Sequence, residues 1–307
     1  MGTHLDTDVS RRSFLKASGA TAAVAAGALL WGCAPNTSKE RTVSESGIPE
    51  TWDEEADVVI VGGGGAGMSA ALMAAEAGSS VIVLEKGPAT GGSTALCGQA
   101  IMGVGTAVQK ALGIEDSGEE AMKYFSAIGD GRDDLVRFVV EHSADAVEWL
   151  IGLGMQVPTE IGNPGLVFGG QEKERADLTA PVMRTHYAVK PDPGLWPVLQ
   201  KAADAQEGIT VHTGTPATRL VQRGDTGEVL GVIAGDGREK AIKARKGVVL
   251  AAGGFARNPD MMHEPISRYD VPTTAHARDT GDRLNTGPAA APRVGDSCHL
   301  STAQFHQ

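Results

Sequence analysis

Apolar and polar residues recur with two different periods along this chain, and each period predicts a different element. Short runs rich in valine and isoleucine begin near residues 57, 81 and 248, and such runs predict strands that are buried on both faces. The alanine-rich residues after the first run predict a helix over 66–78, with Gly78 just past its end. A strand, a helix and a second strand in this order predict a parallel βαβ unit.

A longer pattern with a period near 3.6 residues follows Asp133 and predicts an amphipathic helix that ends at Gly152 or Gly154. We expect its apolar stripe to face the core, with His142 as a structural histidine. The predicted stripe consists of Leu135, Phe138, Val139, His142, Ala146, Trp149, Leu150 and Leu153. Further along, residues 208–222 are strand-like, and residues 228–250 predict a hairpin that turns at Asp236 and Gly237, followed by a buried strand.

The N-terminal residues have a different character from the rest of the chain. Arg11 and Arg12 precede an alanine-rich apolar stretch, 19–32, that is shorter than the ~20 apolar residues of a membrane-spanning helix. This pattern is typical of a Tat export signal, and a basic tail with a membrane-anchoring helix is the alternative. Leu-x-x-Cys ending at Cys33 resembles a lipoprotein processing site, so lipid attachment and cleavage to a soluble form both stay open. We predict a Tat signal in 1–33, a flexible linker in 34–54 and a globular domain in 55–307.

Composition and charge exclude several classes of function. The 307 residues are 41% apolar, which is enough for one large domain or two smaller ones. The formal net charge is −11, and no basic face typical of a nucleic-acid-binding protein is visible, so no nucleic-acid partner is expected. The three cysteines form no CxxC motif and no even disulfide framework. The eight histidines lack ligand spacing, so no metal site is predicted.

Three glycines after the first strand have the spacing of a dinucleotide-binding turn. Gly62, Gly64 and Gly67 form GxGxxG, which provides a tight turn, a close backbone approach to a pyrophosphate and close packing of the helix on the strand, in that order. The helix N-terminus supplies free N–H groups. Glu85, which ends the second strand, can bind a pair of ribose hydroxyls. These features predict a dinucleotide site, and NAD without a flavin stays open on them alone.

The sequence after the second strand, EKGPATGGSTALCGQA from Glu85 to Ala100, resembles the flavoprotein group of fumarate reductases, urocanate reductases and 3-ketosteroid dehydrogenases. Residues 181–188 (PVMRTHYA), 208–222 (GITVHTGTPATRLVQ) and 248–258 (VVLAAGGFARN) resemble further segments of that family in the same order. The resemblance implies an α/β fold: a Rossmann-like, GR2-type FAD-binding domain with a parallel central sheet and an added β-hairpin or antiparallel layer.

The resemblance also implies which residues bind FAD. They belong to the glycine turn, the loop after the second strand, the strand-like segment 208–222, a second glycine motif and the acid of RDTGD. The implied cofactor-binding residues are Gly62, Gly64, Gly65, Ala66, Gly67, Glu85, Lys86, Gly91, Gly92, Ser93, Thr94, Gly98, Ala217, Ala252, Gly253, Gly254 and Asp282.

If the chain follows the family, hydride passes between flavin N5 and an activated C=C bond of a small unsaturated acid or enone. Positively charged groups would hold the substrate and supply or accept a proton. The implied catalytic candidates are His306, Arg184 and His186, and structural hydrogen bonding is the alternative for Arg184 and His186. No haem motif is present, so an external protein is expected to donate or accept electrons.

The C-terminal part departs from the family pattern. Arg283 stands where the family has a glycine, and Pro288 and Pro292 would interrupt a family helix. The family's cap domain and its C-terminal FAD segment would come after Gln307. We therefore expect a fragment with the cap domain largely missing, from an oxidoreductase exported by the Tat machinery to the periplasm or the outer face of the cytoplasmic membrane. The alternative is a truncated, non-catalytic remnant with weak or no FAD binding.

Overall fold

The computed structural model describes residues 47–128, 133–157, 182–188, 194–258, 276–278 and 280. The strands in these residues are β1 (Glu54–Val61), β2 (Val81–Leu84), β3 (Ala100–Met102), β4 (Thr185–Tyr187), β5 (Ile209–His212), β6 (Ala217–Gln222), β7 (Val229–Ala234) and β8 (Lys240–Leu250). The helices are α1 (Gly65–Glu76), α2 (Gly92–Leu96), α3 (Ala107–Ala111), α4 (Gly118–Ile128), α5 (Asp133–Gly152) and α6 (Leu195–Ala205).

Six of these strands form one sheet in the order β5-β2-β1-β8-β7-β6, and β3 pairs with β4. Strands β5, β2, β1 and β8 run parallel to one another, whereas β8, β7 and β6 are antiparallel. All four residues of β2 are buried, as expected for a strand that is covered on both faces. The predicted parallel sheet with an antiparallel addition is confirmed.

Strands β1 and β8 bend, so that the antiparallel strands lie over one face of the parallel ones. Their register shifts between Ala56 and Val58, where an extra residue of β8 makes a β-bulge. His212 is level with Val61 at the carboxyl end of the parallel strands. Nevertheless, its Nε2 lies 2.7 Å from Oε2 of Glu54, the first residue of β1. A flat sheet could not bring these two residues together, because β1 is eight residues long.

The fold-back produces three layers with two apolar clusters between them. The parallel and antiparallel parts of the sheet bury a shared cluster of Ala56, Val59, Val61, Ile82, Leu84, Leu220, Val232, Ala234, Ile242 and Ala244. The opposite face of the parallel strands packs on α1, α5 and α6 through Ile60, Met68, Leu72, Val81, Val83, Leu150 and Leu199. Within the described ranges, no helix is both long enough and apolar enough to cross a bilayer.

A charged cluster lies at the bend in β1. Arg245 donates hydrogen bonds to Oδ1 of Asp57 at 3.0 Å and to Oε1 of Glu55 at 2.8 Å. The Arg245 guanidinium, followed by the N–H of Ser80, holds the pKa of Asp57 well below its usual range. A lowered carboxyl pKa favours the folded state above the pKa of the unfolded chain. This contribution to folding stability is therefore lost as the pH falls through the folded-state pKa.

Helix α5 confirms the predicted helix and its end at Gly152, but the predicted buried stripe is wrong from Leu135 to Ala146, whose side chain is also exposed. Leu135, Phe138 and Val139 are 54%, 63% and 53% exposed, and the side chain of His142 is also exposed. An adjacent face of α5 packs on α4 and β3 instead. The buried residues of α5 are therefore Val140, Ser143, Val147 and Leu150. Both faces carry apolar residues, so periodicity could not tell which one faces the core.

The remaining strand predictions are confirmed with two refinements. The strand predicted after the hairpin is the second half of β8 itself, and its residues Val248, Val249 and Leu250 are half-buried rather than buried. β7 and β8 form the predicted hairpin, in which Gly237 has a φ of +77°. The strand-like segment 208–222 is two strands, β5 and β6, separated by Thr213–Pro216. This break sends β5 to the parallel edge of the sheet and β6 to the antiparallel edge.

Candidate functional site

A cavity of about 490 Å³ lies at the carboxyl ends of β1, β2 and β8. Ligands of open parallel sheets bind in the crevice at this edge. The lining residues are Val61, Gly62, Gly64, Gly65, Ala66, Leu84, Glu85, Lys86, Gly92, Ser93, Thr94, Pro216, Ala217, Leu250, Ala251, Ala252, Gly253, Gly254, His276 and Arg278.

The glycine turn after β1 requires glycine for different reasons at its three motif positions. Gly62 has a φ of +107°, and a Cβ atom there would overlap the carbonyl oxygen of Ala251. A Cβ atom on Gly67 would overlap the carbonyl oxygen of Gly62, so α1 packs closely on the end of β1. A Cβ atom on Gly64 would meet nothing closer than 3.8 Å, and Gly64 lines the cavity. The middle glycine therefore leaves room for a ligand, as the motif predicts.

Helix α1 begins at Gly65 and directs its N-terminus at the cavity. The N–H of Gly65 donates to Oγ1 of Thr94 at 3.1 Å, which fixes the turn to helix α2. The N–H groups of the first helical turn have no carbonyl partner within the helix, and Ala66 lines the cavity beside them. Free N–H groups and the positive end of the helix dipole suit an anion such as a pyrophosphate.

Glu85 holds its carboxylate at the edge of the same cavity. Its Oε2 accepts a hydrogen bond from the N–H of Gly63 at 3.0 Å, and its Oε1 accepts one from Gly87 at 2.6 Å. Each carboxylate oxygen can accept a further hydrogen bond, so ribose hydroxyls can still bind there. The neighbouring Lys86 donates from Nζ to Oγ1 of Thr280 at 2.8 Å.

The cavity brings together thirteen of the seventeen residues predicted for the cofactor, from four separate segments of the chain. Gly67, Gly91 and Gly98 do not line it. Gly67 packs α1 on β1, and Gly91 donates its N–H to the carbonyl of Gly63 at 2.9 Å. Gly98 stands in open space. The predicted site residues Asp282 and His306 lie outside the described residues.

Seven lining residues were not predicted. Val61, Leu84, Pro216, Leu250 and Ala251 directly adjoin predicted positions in the chain, so extending each motif by one or two residues would have found them. Arg278 is the first residue of RDTGD, the motif from which only Asp282 was predicted, and His276 lies two residues before it. Extending that motif towards its N-terminal side would have found both. The N–H of His276 donates to Oγ of Ser93 at 3.0 Å.

The catalytic candidates Arg184 and His186 lie at β4, in a buried network that does not line the cavity. Arg184 makes a two-bonded ion pair with Asp116, from Nε at 2.9 Å and from Nη2 at 2.7 Å. The side chains of Arg184 and Asp116 are 5% and 0% exposed. Gln109 donates to the same carboxylate at 3.1 Å. The catalytic roles stay predictions, and these contacts favour the structural alternative.

His186 is buried and bonded at both ring nitrogens. Its Nδ1 lies 3.0 Å from the carbonyl oxygen of Arg184, so Nδ1 carries the proton. Its Nε2 therefore accepts from the hydroxyl of Thr106, at 2.9 Å. Burial lowers the pKa of His186 below its ordinary value, because the charged imidazole loses its hydration.

The lowered pKa of His186 predicts a loss of folding stability in mild acid. Below about pH 6.5 the unfolded chain takes up a proton that the folded chain does not, so the free energy of unfolding falls as the pH drops. His186→Gln can keep one donor and one acceptor without titrating. We expect this variant to lower the slope of the unfolding free energy against pH between pH 5 and 7, by at most about 1.4 kcal/mol per pH unit. Urea unfolding at several pH values measures the slope, and an unchanged slope would contradict the burial of a neutral imidazole.

The arrangement of the cavity fits FAD in three respects. The glycine turn and the start of α1 can hold a pyrophosphate, and Glu85 can hold a ribose. The first turn of α2, residues 92–94, and residues 252–254 supply backbone for close approach. In the second glycine motif, Gly253 has a φ of +81°, which other residues rarely adopt. These residues bind and orient a dinucleotide along the edge of the sheet.

Comparison with known proteins agrees with this geometry. Residues 57–306 match the family described as FAD binding domain, and residues 8–28 match the twin-arginine translocation pathway signal sequence. The chain is 32% identical to the digoxin reductase of Eggerthella lenta over 273 residues, which cover 84% of this chain and 48% of that protein. The matched residues cover 48% of that protein's length, 36% of a probable fumarate reductase of Shewanella frigidimarina and 39% of the urocanate reductase of Eggerthella lenta.

Two solved structures show the same fold. The 3-ketosteroid-Δ4-(5α)-dehydrogenase from Rhodococcus jostii RHA1 superposes with a TM-score of 0.70 at 32% identity, over 81% of this chain and 56% of that one. The open conformation of a flavocytochrome c3 fumarate reductase superposes with a TM-score of 0.65 at 30% identity, over 76% of this chain and 40% of that one. The predicted resemblance and the predicted export signal are confirmed: the chain belongs to the FAD-binding domain family of flavin-dependent oxidoreductases and carries a Tat signal.

Proposed function

We propose that this chain is the FAD-binding part of an exported oxidoreductase that reduces or forms an activated C=C bond in a small unsaturated carboxylic acid or an enone. The cavity at the carboxyl ends of β1, β2 and β8 carries this proposal, because it joins the pyrophosphate turn, the ribose-binding carboxylate and the second glycine motif in one site. The similarity to proteins named digoxin reductase, urocanate reductase and fumarate reductase supports the reaction class.

The chain's own residues bind and orient the cofactor in this proposal. Bound FAD would supply hydride transfer at the flavin ring. The N–H groups at Gly64 and Ala66 hold the negative charge of the pyrophosphate, and Glu85 fixes the ribose. The first residues of α2, Gly92 to Thr94, and the backbone at Gly253 contact the remainder of the dinucleotide in this proposal.

The substrate and the electron partner are further parts of the proposal. His306 is proposed to contact the substrate, where a cationic or hydrogen-bonding group can stabilise developing charge. Arg184 and His186 are proposed to act at a distance, by holding β4 against the start of α3 and the segment between α3 and α4. A separate electron-transfer protein is proposed to exchange electrons with the flavin after export. Lipid attachment at Cys33, which lies outside the described residues, would keep the protein at the outer face of the membrane.

Production of the whole chain with its signal in a host that has a Tat pathway tests the proposal. The purified protein is expected to show the visible absorption of a bound flavin and to release FAD on denaturation. After anaerobic reduction, fumarate, urocanate and an enone steroid are added separately, and return of the oxidised flavin spectrum is followed. If one of these compounds reoxidises the flavin faster than its saturated analogue does, that compound identifies the substrate class.

A colourless product that takes up no added FAD would overturn the proposal and favour the non-catalytic remnant. A yellow protein whose reduced flavin is reoxidised at the same rate with and without each compound would retain the FAD site and overturn C=C chemistry by this chain. Replacement of Arg11 and Arg12 by lysine, with the protein then retained in the cytoplasm, is the control for the export route.

A further inference from the structure

One lining residue of the cavity, Arg278, has no role in the assignments above. We call the described residues 276–278 together with Thr280 the strap. The strap is fixed on both sides of the cavity. The N–H of His276 donates to Oγ of Ser93 at 3.0 Å, and Lys86 donates to Oγ1 of Thr280 at 2.8 Å.

A third contact holds the strap to the loop after β8. Nδ2 of Asn258 donates to the carbonyl of Thr280 at 3.0 Å, and the N–H of Thr280 donates to the carbonyl of Arg278 at 2.9 Å. The backbone of Arg278 therefore lies between fixed points in the loops after β2 and after β8. This fixed backbone places the side chain of Arg278 at the cavity.

The guanidinium of Arg278 lies beside the ribose-binding carboxylate. A Cβ atom on Gly87 would lie 3.1 Å from Nη1 of Arg278 and 2.9 Å from Oε1 of Glu85. Gly87 therefore leaves the space between the cation and the carboxylate open. Among the described residues, the Arg278 guanidinium makes no hydrogen bond or ion pair. The N–H groups of Gly63 and Gly87 each bind one oxygen of Glu85 and leave each oxygen able to accept one more hydrogen bond.

We propose that Arg278 is a binding residue for the adenosine half of the dinucleotide, and that its planar guanidinium closes over the ribose and adenine held by Glu85. An arginine fork can donate to ribose hydroxyls and stack on an aromatic ring, and a lysine ammonium cannot do both. The phosphates have their own donors at the start of α1. The position of the guanidinium next to Glu85, rather than next to Gly64, therefore assigns it to the adenosine end.

This inference rests on the proposed FAD site, and the test separates the two. The cofactor is removed from the wild type and from the variants Arg278→Ala, Arg278→Lys and Arg219→Ala. Arg219 is an exposed arginine on β6 that does not line the cavity, which makes it a matched control. FAD and FMN are titrated by flavin fluorescence at low and high salt, and thermal unfolding of each apoprotein checks the fold.

We expect Arg278→Ala to raise the Kd for FAD roughly tenfold and to leave the Kd for FMN, which lacks adenosine, unchanged. Arg278→Lys should behave like Arg278→Ala, and Arg219→Ala like the wild type. The increase in the Kd for FAD should be the same at both salt concentrations, because salt screens ion pairs but not stacking or ribose contacts.

Two results would overturn the assignment of Arg278. One is an Arg278→Ala variant that binds FAD as tightly as the wild type. The other is rescue by Arg278→Lys together with a loss that disappears at high salt, which would identify a phosphate contact instead. A wild-type apoprotein that takes up no FAD would overturn the proposed FAD site and this inference together.

Discussion

A Gly62→Ala variant is expected to lose both its bound flavin and much of its folding stability. The positive φ of Gly62 and the overlap of a Cβ atom with the carbonyl of Ala251 act together, and each costs about 1–3 kcal/mol. The carbonyl belongs to the backbone directly after β8, so relief of the overlap would separate β8 from β1. Urea unfolding of the apoprotein and the ratio of flavin to protein absorbance measure the two effects.

Two other glycines serve as matched controls for Gly62. A Cβ atom on Gly224 meets nothing within 4 Å, so Gly224→Ala should change neither property. Gly64 has an ordinary extended φ of −83° and lines the cavity. Gly64 is also the N-cap of α1, so Gly64→Val should cost the apoprotein about 1 kcal/mol. It should weaken FAD binding by tenfold or more, roughly the cost of overfilling a packed site. Normal flavin content in Gly62→Ala would contradict the tight contact between β1 and β8.

Asp116→Asn is expected to destabilise the protein almost as strongly, although Asp116 is remote from the cavity lining. The substitution leaves the Arg184 guanidinium charged in a site where its side chain is only 5% exposed. Removal of one partner from a buried ion pair costs about 3–5 kcal/mol, and such a loss lowers the Tm of a domain of this size by roughly 6–20 °C. Thermal unfolding followed by circular dichroism measures the change.

The exposed ion pair of Arg223 and Glu228 is the matched control, since its side chains are 47% and 57% exposed at a similar N–O distance of 3.0 Å. Glu228→Gln should cost no more than about 1 kcal/mol. The double variant Arg184→Met/Asp116→Asn should recover part of the lost stability, because no unpaired charge is left. If Asp116→Asn instead kept its stability and lost flavin binding, Arg184 would act at the cofactor rather than in the fold.

The parts of the site that the sequence predicted are local in the chain. Gly62, Gly64, Gly67 and Glu85 lie within one βαβ unit, and their roles follow from the steric and hydrogen-bonding needs of one turn. The second glycine motif at 252–254 directly follows a strand and could be found in the same way. These positions are determined by neighbours that are close in sequence, so a pattern of residues is enough to identify them.

The parts that the sequence did not predict depend on distant neighbours. The bend in β1 becomes visible only through pairs such as His212 with Glu54, which are 158 residues apart. Lys86 and Thr280, which hold the strap with Arg278, are separated by 194 residues. The prediction of the buried face of α5 was wrong for a related reason. The packing of α4 and β3 on the other face of α5 decides which of its apolar residues are buried.

The place of β1 between β2 and β8 constrains the order of synthesis, folding and export. Val58 pairs with Val81, 23 residues later, and with Gly247, 189 residues later. One edge of β1 therefore stays open for roughly 10–40 s of translation, while the Tat signal at residues 8–28 is already outside the ribosome. The cavity is also incomplete until Arg278, the last of its lining residues in the chain, has been made. Because the Tat route carries folded proteins, FAD must be acquired in the cytoplasm after β8 has joined the sheet, and the signal has to wait for that step.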